Sequence, residues 1–297
     1  MILDKNIPFR YIFNKVKVEL TIVFIVGLIT NILTIQFKEF LPEMPLSIPA
    51  LLGTAISILL SFKMNQSYDR WWEARKVWGA IVNDSRTFII QLQSFLSEGE
   101  KETITRLAYR QIAWCYALGR ALRGLPALEG SEYLLSANDQ IEIAKHNNKP
   151  LAIIQLNARE IKDLHAQQRL ETFTHLQLDN TLIRFTDSMG KAERINGTIF
   201  PSTYRKFLHF IVYLFVITLS ISLKQVNMVF EIPLLLSIAA AFFLIEKSAY
   251  HLQDPFKNRP SDIPVTAIAR TIEINIRQLL GETEVPQPVK ADEFYIL

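Results

Sequence analysis

The side chains that most often carry enzyme chemistry are scattered along this 297-residue chain. Cys115 is the only cysteine, which excludes an intrachain disulfide and a cysteine-based zinc site. The chain contains no glycine-rich phosphate loop, no paired-histidine metal motif and no nucleophile elbow. The histidines lie far apart in sequence and are His146, His165, His175, His209 and His251. The sequence therefore predicts neither an enzyme nor a bound cofactor.

Three carboxylates near the end of the last apolar segment could bind a cation: Glu246, Asp254 and Asp262. Carboxylates at such a place are more often solvated than liganded, so no metal site is predicted from them. Asp254 and Asp262 are kept as the metal-ligand candidates.

The chain contains four apolar segments, at residues 18–37, 46–62, 207–223 and 228–245. Any functional site must be positioned by these segments. A helix needs about 20 apolar residues to cross a bilayer, because only its own hydrogen bonds satisfy the backbone there. A single such segment could be a buried core helix. Two pairs joined by short loops favour four transmembrane helices in an all-α integral membrane protein.

Basic residues near the segment ends predict the orientation. They precede the first and third segments and follow the second and fourth: Lys5, Arg10, Lys15, Lys17, Lys63, Arg70, Arg75, Lys76, Arg205, Lys206, Lys247, Lys257 and Arg259. The loops at 38–44 and 224–227 hold one Lys each. We expect both termini and the middle of the chain to be cytoplasmic, in the cell inner (plasma) membrane. The opening residues do not resemble a signal peptide.

The polar middle of the chain is strongly periodic, with apolar residues at three- and four-residue spacing typical of amphipathic helices. We predict a helix that stops at Gly124 and Pro126, then helices over 136–148 and 150–184, and a loop and helix over 260–282. No strand and no repeat is expected. The predicted regions are 1–62 (first membrane pair), 63–203 (cytoplasmic helices), 204–248 (second membrane pair) and 249–297 (C-terminal cytoplasmic segment).

The second apolar segment carries a stripe in which every fourth residue falls on one slowly drifting face: Ala50, Thr54, Ile58, Phe62 and Gln66. Small residues on its other faces permit close helix contact. Around a symmetry axis, Thr54, Ile58 and Phe62 would form apolar rings that gate ions by dewetting. Ordinary packing against neighbouring helices explains the same periodicity.

A motif follows this segment: Ser67-Tyr-Asp-Arg-Trp-Trp-Glu-Ala-Arg-Lys-Val-Trp-Gly79. Its rings and cations suit a membrane interface, and Arg70 and Glu73 can pair on one helical face. A second motif, Leu-Gln-Asp-Pro-Phe-Lys-Asn-Arg-Pro-Ser-Asp-Ile-Pro, begins at Leu252. Together, about 180 residues apart and with membrane pairs at both ends, they closely resemble the signatures of the bestrophin family.

The resemblance covers essentially the whole chain and implies a homopentameric ion channel in a lipid bilayer. It places the hydrophobic neck of the pore at Thr54, Ile58 and Phe62, and the interface motif at Arg70, Trp71, Trp72 and Glu73. A second, cytoplasmic constriction falls at Thr172 or Phe173, between which the sequence does not choose. Thr54 is smaller and more polar than the family's usual neck residue, so its ring is expected to be wider or wetter.

This chain departs from animal members of the family in the stretch that binds calcium there. Lys257 and Arg259 stand where a hard cation needs oxygen ligands, although Asp254 and Asp262 remain. We therefore expect activity that does not require calcium.

Three functions stay open at this point. The first is passive conduction of small inorganic ions, anions (chloride) or cations (sodium). The second is transport of small organic anions, although inverted repeats and a charged midplane site are absent from the sequence. The third is a non-conducting membrane scaffold. With a net charge of +3 and no basic arm, no nucleic-acid partner is expected.

Overall fold

Helices dominate the chain because apolar residues recur at helical spacing and Gly and Pro are sparse. The computed structural model describes residues 1–3, 5–37, 44–198, 201–223 and 226–297, without the side chain of Ser202. In these ranges the α-helices are α1 Phe9–Gln36, α2 Ser47–Phe95, α3 Lys101–Leu122, α4 Ala137–Ala144, α5 Lys149–Ala166, α6 Thr172–Gly197, α7 Ser202–Ser222, α8 Met228–Leu252 and α9 Val265–Leu279. The same ranges contain isolated β-bridges but no strand, so the all-α prediction is confirmed there.

The chain divides into two compact units. The first, called the apolar unit, comprises Lys5–Arg70 and Ile199–Gln253, and thus α1, the start of α2, α7 and α8. Helix α1 packs against α7 and α8, and these last two pack on each other. Val23, Ile56, Phe215 and Phe243 are among its buried core residues.

Four helices of the described residues are long and apolar enough to cross a membrane, namely α1, α2, α7 and α8. The four predicted segments lie in these helices to within one residue at their ends, so the prediction of four spans is confirmed by length and composition. Helix α1 starts at Phe9, directly after Pro8, and therefore well before the apolar run. Most of the 38–44 loop and half of the 224–227 loop lie outside the described residues.

Helix α2 does not end with its apolar segment at residue 62 but continues to Phe95 as one helix of 49 residues. The sequence explains this continuity, because neither Gly nor Pro occurs between Gly53 and Gly79. The composition of α2 changes from apolar to amphipathic along its length, but the helix does not end at that point.

The second unit, called the polar unit, comprises Met1–Asp4, Trp71–Thr198 and Asp254–Leu297. Its core forms where α3 packs against α5, α6 and α9. Phe185 lies at the centre of this core, 5.1 Å from Trp114 and 5.9 Å from Phe88 between ring centroids. Gly124 takes a φ of +72° after α3, which confirms the predicted stop.

The prediction of a single helix over 150–184 is wrong. Helix α5 ends at Ala166, a turn follows in which Gln168 has a φ of +59°, and α6 runs from Thr172 to Gly197. The turn holds because Leu170 is buried and Arg169 pairs with Glu100. Helices α4 and α9 lie within the predicted segments. The four-part division at residues 62, 203 and 248 stays a prediction.

Candidate functional site

The stripe predicted on the second apolar segment lies on an exposed face of α2. The exposed fraction is 52% for Ile58 and 62% for Phe62, and Thr54 is exposed too. The Thr54 hydroxyl donates to the Ala50 carbonyl oxygen at 2.9 Å. It is therefore satisfied by its own helix, and the stripe presents a largely apolar surface.

The opposite face of this part of α2 forms the core of the apolar unit. Ile56, Leu60 and Lys63 are buried there. A Cβ added to Gly53 would lie 3.2 Å from Phe215 Cε2, so Gly53 permits the close approach of α7 to α2. The helix is thus fixed by one face, which leaves Thr54, Ile58 and Phe62 on its exposed face.

Exposure of apolar side chains does not by itself mark a pore. Ile29 on α1, Phe210 on α7 and Phe230 on α8 are exposed as well, as is normal for a surface that lipid covers. What distinguishes the α2 stripe is its place on a helix rich in small and hydroxyl residues. Lipid, a second copy of the chain and an aqueous pore are the three surroundings that such a face can have.

The interface motif directly follows this stripe. Arg70 Nε donates to the Gln253 carbonyl oxygen at 2.9 Å within the apolar unit. Trp71 Nε1 donates to the Ser261 carbonyl oxygen at 3.1 Å within the polar unit. The two sequence motifs, far apart in the chain, therefore meet through hydrogen bonds to the backbone.

The other two motif residues lie nearer the surface. Trp72 is exposed and stacks on Trp71 with 6.4 Å between ring centroids. Glu73 Oε2 lies 2.6 Å from Lys76 Nζ on the next turn of α2. The pairing expected for Glu73 was with Arg70, and sequence spacing did not distinguish the two cations.

Of the two carboxylate candidates for a metal site, Asp262 stabilises a turn. Asp262 is buried, and its Oδ2 accepts a hydrogen bond from the Arg259 backbone N–H at 3.0 Å. Burial raises the pKa of the Asp262 carboxyl. Asp254 is half-buried. Within the described ranges no three His, Cys, Asp or Glu side chains are placed to hold a metal ion.

The two candidates for the cytoplasmic constriction begin α6. Thr172 is the first residue of that helix, and Phe173 is the next. Both are exposed, Phe173 to 81% of its surface. A single exposed apolar side chain is common on protein surfaces, so the exposure of Phe173 alone does not identify a constriction.

Sequence reasoning missed a buried ionic cluster in the apolar unit. Lys63 Nζ lies 2.8 Å from Glu246 Oε1, and both side chains are almost fully buried. Arg205 Nε and His209 Nε2 lie 3.6 Å and 3.4 Å from oxygens of the same carboxylate. Ionisable residues at the ends of apolar segments were the signal that could have revealed it.

A second buried polar group joins three helices of the apolar unit. The Glu231 carboxylate on α8 accepts from Asn31 Nδ2 on α1 at 2.7 Å and from Ser220 Oγ on α7 at 2.5 Å. All three side chains are buried. Asn31 is a polar residue inside the first apolar segment, but the sequence does not reveal its partners.

Comparison with known proteins adds three findings. A family model described as bacterial/fungal bestrophin protein matches residues 10–278. The voltage-dependent anion channel-forming protein YneE of Escherichia coli O157:H7 is 30% identical over 249 residues, which cover 84% of this chain and 81% of the relative. The voltage-dependent anion channel-forming protein mll4386 of Mesorhizobium japonicum is 28% identical, over 82% of this chain and 78% of its own.

The fold is similar to solved structures as well. The crystal structure of a bacterial bestrophin homologue from Klebsiella pneumoniae superposes with a TM-score of 0.84 and 27% sequence identity. The match covers 91% of this chain and 100% of that one.

Proposed function

The chain belongs to the bacterial and fungal bestrophin family, and from this premise we propose that it forms a homopentameric channel rather than an enzyme. The channel conducts small monovalent inorganic ions passively through an axial pore. The observation that carries the proposal is the exposed stripe of Thr54, Ile58 and Phe62, on a helix whose other face is fixed in the apolar unit. Arranged around a fivefold axis, five such stripes line one passage.

The apolar side chains of the stripe can act as a gate. Ile58 and Phe62 offer no hydrogen bonds to water, so a ring of these side chains empties when the passage narrows. Thr54 keeps its hydroxyl on the Ala50 carbonyl and presents a smaller side chain, which makes its ring the wider one. The neck therefore runs from Thr54 to Phe62.

A second constriction at the cytoplasmic exit belongs to this proposal. Phe173 supports it better than Thr172, because its exposed ring is bulkier. In this arrangement the polar unit forms the cytoplasmic vestibule. Both termini are cytoplasmic, and the channel lies in the cell inner membrane with the basic segment ends inside.

For selectivity we propose anion conduction, which is what the names of the Escherichia and Mesorhizobium relatives state for those proteins. The neck residues carry no charge and favour neither sign. Calcium is not required in this proposal, since the Asp262 carboxylate already accepts the backbone N–H of Arg259, and Lys257 and Arg259 add positive charge to the same stretch. Loss of current on adding EGTA, restored by micromolar calcium, would overturn this part.

The deciding experiment is the reversal potential of the purified full chain in a planar bilayer under an asymmetric salt gradient. A value near the chloride equilibrium potential supports anion conduction. A value near the cation potential overturns the selectivity and leaves the channel. No current, with Ile58→Ala also silent, overturns the channel in favour of a transporter or a scaffold. Light scattering of the detergent-solubilised protein tests the pentamer separately.

A further inference from the structure

Two histidines that are ten residues apart in sequence lie against each other at the turn between α5 and α6. His165 is in the last turn of α5, and His175 is in the first turn of α6. Their rings stack with 4.7 Å between centroids and an angle of 26° between planes. The helix break after Ala166 is what brings them together, since a continuous helix would have kept them about 15 Å apart along its axis.

A hydrogen bond fixes the tautomer of His165. Its Nδ1 lies 3.0 Å from the Leu170 carbonyl oxygen. A carbonyl can only accept, so Nδ1 carries the hydrogen and the neutral ring keeps its free lone pair on Nε2. Histidines that bind metals are usually oriented in this way, by a hydrogen bond from the other ring nitrogen to a backbone carbonyl or a carboxylate.

The second ring is available for the same purpose. Over the described residues, no hydrogen bond engages either ring nitrogen of His175. Both rings are half-buried, which leaves them reachable from solvent. Two imidazoles, one already oriented and one able to turn, are the ligands that late first-row divalent ions prefer.

We propose that His165 and His175 form a binding site for a late first-row divalent ion, such as Zn²⁺, Ni²⁺ or Cu²⁺, with water completing the coordination. A metal about 2.0–2.1 Å from each nitrogen requires the two nitrogens to come within about 4 Å of each other. The centroids are 4.7 Å apart but the ring planes are nearly parallel, so the His175 ring must turn out of the stack to direct a nitrogen at the same point as His165 Nε2. Mg²⁺ and Ca²⁺ are excluded because they select oxygen ligands.

The test is isothermal titration of the full chain, freed of any polyhistidine tag, with ZnCl₂ and in parallel with MgCl₂. We expect saturable zinc binding with one ion per chain and no binding of magnesium. His175→Gln is the main test variant, because the ring is only half-buried and makes no hydrogen bond within the described residues. It should weaken zinc binding by about tenfold or more.

His146→Gln is the matched control, since His146 is an exposed histidine outside the pair, and it should leave the affinity unchanged. His165→Gln should weaken binding as His175→Gln does, with circular dichroism reporting whether the turn survives. Absence of zinc binding to the wild type, or equal affinity of His175→Gln and wild type, would overturn the site.

The site adjoins Thr172 and Phe173, so a conductance effect of zinc rests on the proposed function. That effect is measured separately in the bilayer, with the His175→Gln variant as the reference. The titration measures zinc binding independently of ion conduction. No current from the wild type and from Ile58→Ala, with zinc binding intact, therefore contradicts the channel, whereas conduction without zinc binding contradicts the metal site.

Discussion

In residues 47–70 of α2 the large apolar side chains of Leu51, Ile58 and Phe62 are exposed, whereas in residues 71–95 Trp78 and Phe88 are fully buried. The two parts of this unbroken helix therefore have surfaces suited to different environments. The first part carries apolar residues on most of its surface, as a helix that crosses a membrane does. The second part follows the rule for water, with its apolar face in the core and polar residues outside.

Buried charge is paired in both units. In the apolar unit Lys63 and Glu246 form an ion pair inside the helix packing. In the polar unit Arg110 of α3 forms a buried bidentate contact with Asp139. Arg106 on the same helix binds Glu160 while 39% of its side chain stays exposed. A charge removed from water needs a partner in either unit, so burial rather than the unit decides what a charged residue of this chain requires.

The largest effect should come from the core of the polar unit. Trp78→Ala removes a fully buried indole and should lower the free energy of unfolding by about 3–5 kcal/mol. Trp72→Ala on the same helix, where the ring is 47% exposed, should cost less than about 1 kcal/mol. Thermal unfolding of the detergent-solubilised full chain measures both. Equal losses for the two variants would break the contrast between buried and exposed faces.

The next effect concerns the buried ion pair. Glu246→Gln leaves the Lys63 cation buried without a countercharge and should destabilise the protein by about 3 kcal/mol. Lys63→Met should cost less, because Arg205 and His209 still lie near the Glu246 carboxylate. The double variant should recover stability relative to Glu246→Gln alone. Lys76→Met, at an exposed pair with Glu73, is the control and should change stability by about 0–1 kcal/mol.

A smaller stability change but a clear functional one is expected at the exposed stripe. Ile58→Ala and Phe62→Ala should raise the open probability in bilayer recordings, because smaller side chains widen the ring and keep it wet. The stability should change by less than about 1 kcal/mol, since both side chains are exposed. Ile29→Ala on α1 is matched in exposure (51% against 52% for Ile58) and should leave the current unchanged. Wild-type conduction by both stripe variants would make the stripe a packing surface.

The smallest expected effect is at Cys115, whose thiol should not react with maleimide in the folded protein. Burial raises the pKa of its thiol to about 12, so at pH 8 only about one thiol in ten thousand is ionised. Maleimide should therefore label the denatured chain but not the native one, as read by mass spectrometry. Rapid labelling of the native protein would show that the core around Trp114 opens readily.

Much of the fold could be predicted because it follows from local composition. Long apolar runs located the four spans, and Gly124 located the end of α3. The break between α5 and α6 could not, since neither Gly nor Pro occurs from residue 151 to 171. What ends α5 is Leu170 entering the core and Arg169 reaching Glu100, both of them tertiary contacts.

The candidate site likewise has features that the sequence predicts and features that it does not. The stripe of Thr54, Ile58 and Phe62 was predictable because it repeats along one helix. The pairing of Lys63 with Glu246 was not, because the two residues are 183 positions apart. The proximity of His165 and His175 depends on the missed turn and was hidden with it.

The same 183-residue separation sets an order of events when the chain is made. At ordinary translation rates about 10–40 s pass between the synthesis of Lys63 and that of Glu246. The same delay separates the synthesis of Arg70 from that of Gln253, whose carbonyl oxygen accepts its hydrogen bond. During this interval α1 and the start of α2 enter the membrane with a cation whose partner does not yet exist. The arrival of α8 therefore completes the apolar unit, and a ribosome stalled before residue 246 leaves Lys63 exposed to cellular quality control.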